Sequence, residues 1–165
     1  MPSVAGKNKH AAIHVIGLIA DTHGLMRPQA LETLKGSDLI VHAGDIGKPE
    51  VIESLKALCP VRAIKGNNDA GAWAKALPET ESIESGAVRL FVIHNVKELD
   101  GDPSLRGYQV VISGHSHKPS VSNHQGVLYV NPGSAGPRRF KLPVAVAKLC
   151  IRGSQVKAEI IELIL

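Results

Sequence analysis

The sequence predicts an α/β fold in which two β-sheets pack face to face with helices outside. Three observations carry this. The front half alternates short, continuous apolar runs with helically spaced segments, as parallel strands covered by helices do. From about Ser82 onward the helical spacing gives way to paired strand-like runs, so a second sheet follows the first. Five of the apolar runs end in a polar block, and ligands in open α/β sheets collect at the carboxyl ends of strands.

Taken in order, "HVIGLIA" (14–20) is a buried strand that stops at "DTHG". "PQALETLKG" (28–36) starts with Pro28, has helical spacing and halts at Gly36. "DLIVHA" (38–43) is a second strand ending at "GDIG", and "PEVIESLKAL" (49–58) a second helix opened by Pro49. "VRAIK" (61–65) is a third strand, ending at "GNND". "SIES-GA-VRLFVIH" then reads as a hairpin, and "YQVVIS" as a buried strand that runs into "GHSH". "VLYV" leads into "NPGS"; "VAVAKLCI" and "VKAEIIELIL" complete a back half expected to be antiparallel.

At 165 residues, with 44% apolar and 21% charged residues, the chain has the size and composition of one soluble domain. Residues 1–12 ("MPSVAGKNKHAA") read as a loose arm, and 13–165 as the single domain. No apolar run approaches the ~18 residues of a membrane helix. The net charge of +4 favours anionic ligands weakly, and no basic, aromatic-studded stripe indicates nucleic acid. Cys59 and Cys150 sit in apolar contexts without metal-binding spacing, which suggests buried free thiols in a reducing cytoplasm. The apolar "IIELIL" fits either a core strand or an interface between copies of the chain.

The polar blocks are Asp21-Thr22-His23, Gly44-Asp45, Gly66-Asn67-Asn68-Asp69, His94-Asn95 and Gly114-His115-Ser116-His117. Each alone is better explained as structure, because a lone histidine beside apolar residues is usually a hydrogen-bonded core residue. Five in order, each at a strand end, point instead to one crevice. Gathered carboxylates and imidazoles need a positive partner, and no local excess of Lys or Arg supplies it. If His115 and His117 continue the strand, both lean to one side about 6.5–7 Å apart, a spacing that suits two neighbouring metals.

With these blocks in place the chain resembles the calcineurin-like metallophosphoesterase superfamily, and "VHAGDIG", "GNND", "GHSHKP" and "NPGS" resemble its small bacterial and archaeal phosphodiesterase branch. The resemblance spans about Val15 to Phe140. It implies a four-layer αββα sandwich of two mixed sheets with two divalent metal ions at the strand tips. One ion would be held by Asp21, His23, Asp45 and His117, the other by Asp45, Asn67, His94 and His115, with Asp45 bridging. All donors are N or O, which suits manganese, iron, nickel or zinc and argues against a thiolate site; spacing does not choose among these metals, and manganese is the first expectation. The implied activity is a phosphodiesterase that cleaves a small-molecule phosphate ester by in-line attack of a metal-bridging hydroxide.

One departure from the superfamily bears on mechanism. Its third block often reads G-N-H-D or G-N-H-E, the histidine protonating the departing oxygen, whereas this chain has Asn68. Asn68 can hydrogen-bond a phosphate but carries no titratable proton. Asp69 is expected to orient that loop or a histidine N–H. Together with Asp45, these two make up the candidate catalytic set. Arg138 and Arg139 of "GPRRFK" are candidates to reach a substrate phosphate, against the plainer alternative of a solvated loop. His42 is expected to point away from Asp45 and serve structure. Two rival functions stand beside the diesterase: a phosphomonoesterase or nucleotidase, and a non-catalytic protein-binding scaffold on the same fold, as in the retromer's phosphoesterase-like subunit.

Overall fold

In a computed structural model, residues 15–165 are described, and they form two five-stranded sheets. The predicted arm, and His14 of the first predicted strand, lie outside the described residues. The strands are β1 (Val15–Ile19), β2 (Leu39–His42), β3 (Val61–Ala63), β4 (Thr80–Ser85), β5 (Val88–Ile93), β6 (Val110–Ile112), β7 (Ser120–His124), β8 (Val127–Asn131), β9 (Ala145–Arg152) and β10 (Gln155–Glu162). The helices are α1 (Pro28–Leu34), α2 (Pro49–Lys56) and α3 (Ala72–Lys75). Both α1 and α2 start at the prolines that the sequence marked, since proline's fixed φ and missing N–H suit a first helical turn.

The first sheet has the order β10-β9-β1-β2-β3 and the second β4-β5-β6-β8-β7. Within the first, β1, β2 and β3 run parallel, with Ile16 opposite Leu39 and Ile40 opposite Val61. The second sheet corrects the expectation of an antiparallel back half. Its central strands β5, β6 and β8 are parallel, with antiparallel pairs only at the two edges. The crossover from β5 to β6 is made by two short 3₁₀ turns, Val96–Glu98 and Pro103–Arg106, which leave no helical period to read. Within each sheet, three parallel strands therefore deliver their carboxyl ends to one edge.

Alternation along the strands sorts side chains between layers. Ile16, Leu18 and Val41 face Leu90, Val92 and Ile112 across the inter-sheet core. Ile19 and Ile40 point the other way, against Leu34, Val51 and Leu55 of the helices. The outer face of the second sheet carries a smaller cluster, Ile93, Val111 and Val127, flanked by Phe91, Leu99 and Tyr129. The four layers are thus present, with the two 3₁₀ turns as the outermost layer over the second sheet.

Two elements escaped the sequence. β7 is exposed at every position, so no apolar alternation announces it; its place is set by the β7–β8 turn, where Gln125 and Gly126 both take positive φ. α3 is a single turn. The cysteine expectation is also corrected: Cys150 faces outward from β9 and is exposed, and Cys59 is half-buried, while both are free. The first half of "IIELIL" is edge strand, with Ile161 and Leu163 against the helix layer and Ile164 exposed. Among the described residues no helix is long and apolar enough to cross a membrane.

Ile112 has no exposed surface and sits in the core immediately before the "SGHSH" loop. Ile112→Ala is expected to cost about 2–5 kcal/mol of stability, read from chemical denaturation.

Candidate metal centre

The polar blocks leave their strands by an unusual route. Asp21, His23, Asp45, His115 and His117 have φ of 55°, 47°, 58°, 71° and 64°. They are five of the seven non-glycine residues with positive φ among those described, so left-handed backbone is concentrated at this edge. Each such residue costs of order 1 kcal/mol or more, and the surrounding loops must hold it in place. This also changes the reading of "GHSH". His115 and His117 lie in a loop rather than a continued strand, and they diverge: the His117 ring packs 5.2 Å from that of His23, the His115 ring 5.2 Å from that of His94.

The side chains converge. Asp21 Oδ1 lies 4.0 Å from His23 Nε2, 3.6 Å from His117 Nε2 and 3.9 Å from His94 Nε2. Asp45 Oδ2 lies 3.8 Å from His23 Nε2 and 3.4 Å from His94 Nε2. His23 and His117 bring their Nε2 atoms within 3.3 Å. Two triads have donor atoms within 4.8 Å of one another: Asp21, His23 and His117, and Asp21, Asp45 and His94. Asp21 is common to both, and Asp45 lies near His23 of the first as well as His94 of the second.

The residues fit a divalent cation. Asp21 Oδ1 and His94 Nε2, 3.9 Å apart, are buried with no hydrogen-bond partner among the described residues, a costly condition unless another group satisfies them. Asp21 has no exposed surface and Asp45 only 3%. His94 Nδ1 lies 2.7 Å from the Ala43 carbonyl, which assigns its proton to that nitrogen and leaves the Nε2 lone pair facing the carboxylates.

The framework around these donors is backbone-directed. Asp69 accepts from three N–H groups, those of Ile46 (3.1 Å), Gly47 (2.9 Å) and Gly66 (2.9 Å), and so clamps the "GDIG" loop to the "GNND" loop. It orients the loop, and no histidine N–H. Asn68 donates both its backbone N–H and its side-chain amide to the Asp45 carboxylate, each at 3.0 Å, so its amide is turned to Asp45 and not to open space. Gly66 must be glycine, because a Cβ there would stand 2.2 Å from Asp45 Oδ1. His42 is buried away from the carboxylates, paired with Thr22 Oγ1 at 2.9 Å and accepting from the Gly44 N–H.

Sequence reasoning missed the "NPGS" buttress. Asn131 donates to the Gly114 carbonyl at 2.9 Å and Ser134 to the Asp21 carbonyl at 3.0 Å. The signal was available, since this polar block too follows an apolar strand. Two clefts of about 460 and 500 Å³ flank the centre and share Asn95 and His115. Asn67 and His115, both exposed, line the first beside His94 rather than joining the triads. Arg139 lines the second, while Arg138 lines neither.

The electrostatics follow from burial. Desolvation raises the Asp21 carboxyl to about 7, against the pull of His94 and with the push of Asp45. Burial acts on Asp45 in the same sense, but the adjacent His94 imidazole and the hydrogen bonds from Asn68 overcome it and hold that carboxyl well below the ordinary range. His94 is raised: burial opposes its charge, and Asp45 with the Ala43 carbonyl outweigh it. Burial first, then Arg139 and His23, push His117 down to about 4; burial and His94 push His42 down to about 3.

A fold of paired mixed sheets with carboxylates and imidazoles gathered at the strand tips defines a metal-binding α/β sandwich. Residues 15–153 match the calcineurin-like phosphoesterase superfamily domain, and the chain belongs to that family. A relative from Methanothermobacter thermautotrophicus, named "Probable metallophosphoesterase", is 34% identical, covering 90% of this chain and 92% of its own. A phosphodiesterase of Methanocaldococcus jannaschii is 27% identical over 72% of this chain and 82% of its own. Among solved structures, Vps29 of Entamoeba histolytica in complex with Zn²⁺ shares the fold at a TM-score of 0.69 and 23% identity, covering 90% of this chain and 98% of that one.

Metal uptake must displace the proton that Asp21 retains below about pH 7. Titrating manganese into chelator-treated protein should release more protons at about pH 6 than at about pH 8, and bind more weakly at the lower pH. Calorimetry in buffers of differing ionisation enthalpy reads both. Removing the loop clamp with Asp69→Ala should weaken metal binding roughly 10- to 100-fold while unfolding stays cooperative.

Proposed function

We propose that the chain is a metal-dependent phosphoric ester hydrolase acting on phosphodiesters, and that it works with two divalent ions, manganese first among them. The observation that carries this is the meeting of Asp21, Asp45, His23, His94 and His117, with Asp21 Oδ1 and His94 Nε2 buried and unsatisfied among the described residues. His115 and Asn67, at the mouth of the cleft beside His94, are the further ligands proposed for the second ion. Bound there, the ions would supply Lewis acidity toward a phosphoryl group and toward water.

The chain's own residues prepare the site. The Ala43 carbonyl fixes the His94 tautomer, Asn68 holds both oxygens of Asp45, and Asp69 fixes the loop on which Asp45 sits. No residue in this set offers a proton to the departing oxygen. Asn68 stands where the wider superfamily often has histidine, and its amide is engaged with Asp45. Leaving groups that depart as stable anions are therefore the favoured substrates, and the two free cysteines accord with a reducing, cytoplasmic setting.

The test is a series of aryl and alkyl phosphodiesters on metal-stripped protein reloaded with Mn, Ni, Zn or Mg. Turnover should depend on metal and fall steeply as leaving-group pKa rises. Asn68→His should flatten that dependence by speeding the poor leaving groups, within the roughly 10²–10⁴-fold range of acid catalysis. A flat dependence in the unaltered protein would refute the leaving-group claim. Faster turnover of monoesters would favour the monoesterase or nucleotidase reading. Two metals bound with no turnover of any ester would favour the scaffold.

A further inference from the structure

The two clefts that meet at Asn95 and His115 differ in charge. The first is lined by Glu79, Glu98 and a single cation, Lys65. The second is lined by Lys97 and Arg139, with no acidic residue. Neither Lys97 nor Arg139 has a carboxylate within ion-pairing distance among the described residues, whereas Arg62 pairs with Glu81 and Arg89 with Glu84. Unpaired cations on a concave surface are available to a ligand in a way that paired surface cations are not.

The rest of the second cleft offers neutral hydrogen-bonding groups. Its floor is the outer face of the second sheet, where Ser122 on β7 sits opposite Tyr129 on β8. Ser113 and Ser116 border its inner end, next to Gly114 and His115. The cleft is open because the layer outside this sheet is only a pair of 3₁₀ turns, and Lys97 lies on the first of them. The charge of Arg139 is also felt at Asp21 and His117, which brings it close to the centre.

We infer that the cleft of Lys97 and Arg139 is an anion subsite, and that the substrate is an asymmetric phosphodiester with a carboxylate or second phosphate on one arm. The opposite arm, neutral or cationic, lies along Glu79 and Glu98. This rests on the phosphodiesterase reading for the position of the scissile phosphate. The charge contrast between the clefts then orients the substrate across the centre. A symmetric diester with two uncharged arms gains from neither wall.

The probes are three slowly cleaved phenyl phosphodiesters whose second arm is ethyl, 2-carboxyethyl or 2-(trimethylammonio)ethyl. Calorimetric binding to the metal-loaded chain should favour the carboxyethyl ester over the ethyl ester by roughly 5- to 10-fold, a charge-assisted contact's worth. The gap should narrow at high salt. Lys97→Glu should erase or invert it, and Glu98→Gln should leave it in place while weakening the trimethylammonio ester. Equal binding of the carboxyethyl and ethyl esters, or an unaltered gap in Lys97→Glu, would overturn the subsite. Turnover of the matching 4-nitrophenyl esters reads the hydrolase proposal separately. Turnover without the binding order removes only the subsite; the order without turnover removes only the hydrolase.

Discussion

Two carboxylates buried within reach of the same histidines are the constraint on which this structure turns. Asp21 and Asp45 repel one another, and burial deprives Asp21 of the water that would otherwise stabilise its charge. Among the described residues no lysine or arginine pairs with either one. An arrangement of this kind persists in a folded chain only where something external, and positive, repays it. The chain belongs to a family of metal-binding phosphoesterases, and Asp21, His23, Asp45, His94 and His117 are its candidate ligands for such a partner.

The scaffold holds these groups by cross-bracing loops from different strands. Asp21 N–H donates to the Gly44 carbonyl, His23 N–H to the Asp45 carbonyl, and Gly114 N–H to the His94 carbonyl. The His115 N–H donates to Asp21 Oδ2, so the second sheet is tied to a carboxylate of the first. Because Asp21, His23, Asp45 and His115 are each bonded to a neighbouring loop, no single loop forms the centre on its own. The centre is a property of two sheets meeting, and the inter-sheet core of Leu18, Val41, Val92 and Ile112 sets its dimensions.

Much of this was legible in the residues. Every strand but β7, both longer helices and their prolines, and the strand-end position of every polar block could be read, because apolar runs and Pro or Gly punctuation are local signals. Legibility ended where conformation depended on distant partners. The left-handed backbone at Asp21, Asp45 and His117 has no local signature, and it reversed the strand-based account of "GHSH" while leaving its two histidines in separate surroundings. The parallel direction of β6 and β8 was hidden by crossovers too short to show a period. The engagement of Asn68 with Asp45, and the grip of Asp69 on three backbone amides, needed coordinates to be seen.

β7 draws little from the interior. All five of its residues are exposed, its ladder to β8 is its only strand pairing, and its outer edge ends the sheet. Its residues Ser120, Ser122 and His124 alternate with Val121 and Asn123 and contribute nothing to the clusters that unite the two sheets. Amides along this ribbon are accordingly the ones to surrender their protons to solvent first, well before those of β1 or β6, since local opening there exposes almost no new apolar surface. One wall of the basic cleft is thus its softest part.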